Sequence, residues 1–175
     1  MIERAKAEEL SDEQLDRELQ KRLRDLLYRD QRQSFEKYCE NGELFPEESP
    51  AKHHAFMCAA LQLVEQGEIK RLMVLMPPGH GKSVYCSVRF PSWYLGRNPK
   101  HHLIHATYGG ELANLNGRKV RNLLLSEDYG EVFRNVTIAD DFKGRGLGYE
   151  SIRPVLRHWR RRRRDRSTGA WRAAG

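Results

Sequence analysis

The run Leu72-Met73-Val74-Leu75-Met76-Pro77-Pro78-Gly79-His80-Gly81-Lys82-Ser83 constrains this chain more than any other stretch. It begins as an apolar segment of strand length and ends in Gly-His-Gly-Lys-Ser. That is the order of a phosphate-binding loop: a buried strand, a tight glycine-containing turn, then the first turn of a helix. Glycines let the backbone curl until consecutive N–H groups point at phosphate oxygens. On this reading Pro78, Gly79, His80, Gly81, Lys82 and Ser83 hold the phosphates of a nucleotide. Lys82 reaches the β- and γ-phosphates as the catalytic cation, and the Ser83 hydroxyl is a ligand of Mg²⁺. The usual pattern is G-x-x-x-x-G-K-[ST], and Met76 stands here where the first glycine belongs. Pro77 and Pro78 are tolerable because the chain leaves the strand there and needs no ladder N–H. A plain turn ahead of a surface helix would leave the apolar run before it without a purpose.

The flanking segments supply the expected fold. Ser11-Asp12-Glu13-Gln14 fits a capping box, and Leu15, Leu19, Leu23, Leu26 and Leu27 follow at helical spacing. This predicts an amphipathic helix over 11–40, with Phe35, Tyr38 and Cys39 continuing its face in a second piece, lying on the domain that follows. A coiled coil is the second reading, but too few clean heptads support it. Asn41-Gly42 and the region from Pro46 to Pro50 form a breaker-rich connection. His53 to Gln66 reads as a helix closed by Gly67. His53 and His54, adjacent on it, point about 100° apart and are poorly placed to share a metal ion. A strand is predicted near Lys70 to Leu75 and a helix from Gly81, packed through Val84, Tyr85, Val88 and Phe90 and ended or kinked by Pro91. His102 to Tyr108 is a second strand candidate. Glu111 to Leu125 fits a helix with Leu112, Leu115, Val120, Leu123 and Leu124 on its apolar side. Strand and helix in alternation predict an α/β fold, a parallel sheet with flanking helices.

Charge is informative only through its location. The chain of 175 residues has a formal net charge of +7. Residues 151–175 hold nine arginines and one acid, a net +8, which leaves −1 for residues 1–150. The body is nearly neutral, so its basic pI says nothing about nucleic-acid binding by the folded part. The first ten residues lack the apolar core of a signal peptide, and no apolar run approaches the ~20 residues of a membrane span. Cys39, Cys58 and Cys86 contain no C-x-x-C pair and read as free thiols of a reducing cytoplasm.

These residues carry a family resemblance. Gly67 to Val74, Met76 to Ser83, Phe90-Pro91-Ser92-Trp93-Tyr94-Leu95-Gly96-Arg97-Asn98-Pro99, and Ala106-Thr107-Tyr108 before Glu111-Leu112-Ala113 resemble the ATPase domain of the large subunit of tailed-bacteriophage DNA-packaging terminases. The likeness runs in order from about Phe35 to Asp141, and the Met-Pro-Pro form of the loop is familiar in that family. It implies a partial P-loop NTPase at 46–149, preceded by a helical segment at 1–45 and followed by a basic tail at 150–175. It implies ATP and Mg²⁺ as cofactors and double-stranded DNA as the substrate translocated into a capsid. A small terminase subunit and the capsid portal are the implied partners, with a homo-oligomeric ring for an intact chain and a bacterial host cytoplasm as the compartment. Gly79 to Ser83 correspond to the triphosphate and magnesium site, and Ala106-Thr107-Tyr108 is expected to line the same crevice. Arg118 or Arg121 could be imagined as a trans-acting arginine, although solvated helix-face charges are the simpler reading.

Two parts of the family pattern are in doubt. Val136-Thr137-Ile138-Ala139-Asp140-Asp141 only superficially fits the apolar strand whose terminal acids hold Mg²⁺ and orient water, and the nuclease carboxylates have no room. From about Gly148 the likeness stops and Trp159-Arg160-Arg161-Arg162-Arg163-Arg164 follows. Repeated CGG or CGC codons read arginine in one frame and glycine or alanine in the others, and the family has a Gly-rich stretch here. The tail is therefore expected to be out-of-frame sequence ending a truncated prophage remnant, with a DNA-gripping arginine arm as the other reading. A partial sheet would leave an apolar edge prone to self-association. Two further functions stay open: another P-loop ATPase of helicase type using Asp140 and Asp141, and a non-enzymatic nucleic-acid binder acting through the arginine tail.

Overall fold

The computed structural model describes residues 12–46, 50–134, 136–138 and 154–156. Helices dominate: α1 (Asp12–Gln33), α2 (Phe35–Cys39), α3 (Lys52–Glu65), α4 (Lys82–Val84), α5 (Phe90–Arg97), α6 (Gly110–Leu125) and α7 (Glu127–Val132). A π-helical turn, Tyr85–Arg89, joins α4 to α5 without a break. Two three-residue strands, β1 (Val136–Ile138) and β2 (Pro154–Leu156), pair antiparallel with Val136 opposite Leu156. Among the described residues no helix is long and apolar enough to cross a membrane.

The parallel α/β sheet expected from the sequence is not present among the described residues. The two strand candidates, Lys70 to Leu75 and His102 to Tyr108, fall largely in the irregular segments 71–77 and 101–107, and no backbone hydrogen bond joins these. Val74 and Met76 turn inward against the core while Met73 and Leu75 stay 81% and 83% exposed, the alternation of a strand without its sheet. Extended backbone costs about 1–2 kcal/mol of entropy per residue, and a strand recovers this through ladder bonds to neighbours. With no strand among the described residues beside them, these segments form no ladder.

The core is aromatic and is built between helices. Ser34 caps α2 by accepting the Lys37 N–H, and the Gln62 amide oxygen of α3 accepts the Phe35 N–H at 3.0 Å. Phe35 then packs on Trp93 and Phe90 of α5, with ring centroids 5.2 and 5.4 Å away. Ser92 is a buried polar hub. Its hydroxyl donates to the Arg89 carbonyl at 2.7 Å and accepts from the Tyr38 hydroxyl at 2.9 Å, while the Tyr129 hydroxyl donates to its carbonyl. Buried hydroxyls at low dielectric need such partners, so the hub fixes the register of α2, α5 and α7.

Helix ends follow the sequence closely. Gly67, at φ 80°, closes α3 with the Glu68 N–H bonded to the Leu63 carbonyl and the Gly67 N–H to that of Val64, both bonds of a Schellman motif. Pro91 neither ends nor breaks its helix. The preceding turn widens instead, with the Phe90 N–H reaching back five residues to the Tyr85 carbonyl. A π turn gives the proline ring room while the helix continues.

The first helix departs from expectation on its apolar face. Its last turns dock, with Tyr28 buried, the Trp93 indole donating to the Gln31 carbonyl at 3.0 Å and Arg32 donating to that of Val132 at 2.7 Å. The leucines do not lie on the domain; Leu19, Leu23 and Leu27 are each more than half exposed. On α6, Val120 and Leu124 are buried as expected, but Leu112 and Leu115 stay exposed. The Ser11 cap, Asp140, Asp141 and the arginine tail lie outside the described residues.

Candidate functional site at the glycine loop

The loop from Pro77 to Ser83 is shaped by two left-handed glycines. Gly79 has φ 80°, and Gly81 has φ 73° and ψ −4° as the N-cap of α4. Non-glycine residues pay about 1–2 kcal/mol in this region, so the two Gly positions in Gly-His-Gly are demanded by the turn itself. The turn ends where α4 starts, and the free N–H groups of a helix start favour anions.

Lys82 and Ser83 face a cleft of about 980 Å³. One wall is the π turn and α5 (Cys86, Ser87, Phe90), and the others are Leu72 and Val74 on one side and Leu103 to Gly110 on the other. The two extended segments therefore flank the loop, and Ala106-Thr107-Tyr108 lines the same cleft as Lys82, as expected. The Thr107 hydroxyl donates to the Gly109 carbonyl at 2.6 Å, holding the turn into α6. Lys82 makes no ion pair with another described residue, which leaves its ammonium available to an anion. Cys86 is no candidate nucleophile, because burial pushes its thiol up and the Lys82 charge only partly offsets this.

A histidine that the motif does not include holds the loop in place. His54 is the third residue of α3, and its Nδ1 accepts the Ala51 N–H at 3.1 Å, the returning half of a capping box. With Nδ1 accepting, the ring proton sits on Nε2, which donates to the His80 carbonyl at 3.1 Å. The ring stacks on Tyr85, 4.3 Å between centroids. One side chain thus ties α3, the glycine loop and the π turn together. The sequence signal was the helix-start position of His54, but only the tertiary structure brings it to the loop, across 26 residues.

Two outcomes follow from this contact. His54→Ala is expected to destabilise the protein by about 1–2 kcal/mol in denaturant unfolding. His54→Gln, whose amide N–H can still reach the His80 carbonyl, is expected to recover part of that loss. Gly81→Ala is expected to cost more than Gly79→Ala. Both carry the left-handed penalty of about 1–2 kcal/mol. Only at Gly81 does an added Cβ also fall 2.7 Å from His54 Nε2, whereas at Gly79 it meets nothing within 4 Å. Equal Tm losses in the two variants would contradict the clasp.

His53 lies beside His54 and His80, with ring centroids 4.0 and 5.9 Å away. Its imidazole is held below the ordinary histidine range, first by desolvation and then by the charges its two neighbours would carry. Among the described residues no group of three or more His, Cys, Asp or Glu is placed to hold a metal ion. Magnesium does not need one, since it keeps waters and phosphate oxygens and takes one or two protein ligands. The Ser83 hydroxyl at the cleft is the one group on the loop that fits that role. Arg118 is exposed and Arg121 bonds the adjacent Asn122 side chain at 3.2 Å, the behaviour of helix-face charges. The three cysteines are free thiols, as read from the sequence.

No family model matches the chain, and neither a curated protein nor a solved structure is similar to it.

Proposed function

We propose that the Gly79–Ser83 loop binds the phosphate chain of ATP with Mg²⁺. We further propose that the chain is the nucleotide-binding part of a viral DNA-packaging motor of the terminase large-subunit type. The observation that carries the reading is local. Two left-handed glycines deliver Lys82 and Ser83 side by side to the lining of a cleft, at a helix start, with no carboxylate among the described residues paired with the lysine. In this reading the loop N–H groups and Lys82 bind phosphate oxygens, and the Ser83 hydroxyl takes one position on Mg²⁺. ATP-driven movement of double-stranded DNA, the small subunit and the portal belong to the proposal through the resemblance of Met76 to Ser83 and of the segments around it.

Titration of the purified chain with Mg-ATP by calorimetry tests it. Saturable binding that competes with ADP and inorganic triphosphate is expected, and binding that needs no Mg²⁺ would count against the role given to Ser83. No binding at millimolar nucleotide would end the reading.

A further inference from the structure

We propose that the leucine face of α1 pairs with the same face of a second copy of this chain, the two helices running antiparallel. Leu15, Leu19, Leu23, Leu26 and Leu27 are 45%, 60%, 58%, 51% and 53% exposed. At 3.6 residues per turn they occupy one stripe about 120° wide. The groups that dock α1 on its own domain lie outside that stripe, Tyr28, Arg32 and Asp25 opposite it and Gln31 at its edge. Tyr28 is buried, the Gln31 side chain accepts from Asn41 at 3.0 Å, Arg32 donates to the Val132 carbonyl, and Asp25 pairs with Arg134 at 2.8 Å. The stripe is thus turned away from the core that holds the helix, and the same helix can serve both contacts.

Charge along the helix selects the partner and its direction. Residues 12–20 carry Asp12, Glu13, Asp16 and Glu18 against Arg17, a net −3. Residues 21–33 carry Lys21, Arg22, Arg24, Arg29 and Arg32 against Asp25 and Asp30, a net +3. A parallel pair would set like halves together, whereas an antiparallel pair sets each acidic half on the other copy's basic half. An antiparallel pair of identical helices has two-fold symmetry, so one pattern satisfies both copies and closes the assembly at a dimer. Asp12 and Asp30 bracket the stripe, which confines the pairing to the leucines between them.

Sedimentation of the full chain over a range of concentrations tests the proposal. A reversible monomer–dimer equilibrium is expected, weakened roughly tenfold or more by Leu23→Glu with an unchanged circular dichroism spectrum. Leu23 is exposed, so this variant does not depend on tolerance of the core. Asp16→Lys with Glu18→Lys makes both halves basic and is expected to separate the copies. Adding Arg22→Glu and Arg29→Glu reverses both halves and is expected to restore pairing; a parallel pair, whose like halves repel in the parent, would not be weakened by the first two changes. A chain that is monomeric at every concentration, a dimer indifferent to Leu23→Glu, or a four-site variant that fails to pair overturns the proposal.

Discussion

Replacing Lys82 with alanine is expected to weaken Mg-ATP binding by about 10- to 100-fold while leaving the thermal midpoint unchanged. The size follows from the loss of charge-assisted hydrogen bonds to phosphate, each contributing about 1.5–3 kcal/mol. The unchanged midpoint follows from the structure, since Lys82 makes no ion pair with another described residue and its side chain lines the cleft rather than the core. Surface changes of that kind usually fall within about 0.5 kcal/mol. Calorimetry and a melting curve on the same sample measure both quantities. Should Lys82→Ala bind as the parent does, phosphate is not held at this loop. Should both fall together, the lysine is structural and the site assignment fails for a different reason.

Trp93→Ala is expected to be the most damaging single change in the molecule, about 3–5 kcal/mol, lowering Tm by roughly 10–20 °C. Trp93 is completely buried and touches Phe35 and Phe90, while Arg97 lies over its ring at 5.0 Å. Its indole N–H also satisfies the Gln31 carbonyl at the end of α1, so removal leaves a large cavity and an unpaired acceptor together. Trp93→Phe separates the two effects, keeping most of the ring volume and losing the hydrogen bond, at about 1–2 kcal/mol. Denaturant unfolding of both variants reads the difference. If alanine and phenylalanine cost the same, the hydrogen bond and not the packing holds α1 to α5. For a domain whose total stability is roughly 5–15 kcal/mol, the alanine variant stands near the limit of folding.

What the sequence determined by itself was local. The Gly-His-Gly-Lys-Ser turn, the Gly67 closure of α3, and the boundaries of α3 and α6 follow from backbone rules that act within a few residues. A left-handed position admits glycine and little else, and a helix needs only its own 3.6-residue period. The free state of the three thiols was legible on the same terms. The apolar run before the loop, by contrast, reads as a buried strand, whereas only Val74 and Met76 turn inward and Met73 and Leu75 stay exposed. Tertiary structure decided everything that needs a distant partner. Strand-like segments 71–77 and 101–107 became a sheet only on paper, since a ladder needs neighbouring backbone that the described residues do not provide. The leucines of α1 marked an amphipathic helix correctly, yet the side that docks is the one carrying Tyr28, Gln31 and Arg32, where hydrogen bonds to Asn41 and Val132 fix the orientation. His54 came to the glycine loop across 26 residues, and no periodicity encodes that approach. Local chemistry is written residue by residue; the choice among apolar faces is settled only by which of them find complementary shape and hydrogen-bond partners once the chain has closed on itself.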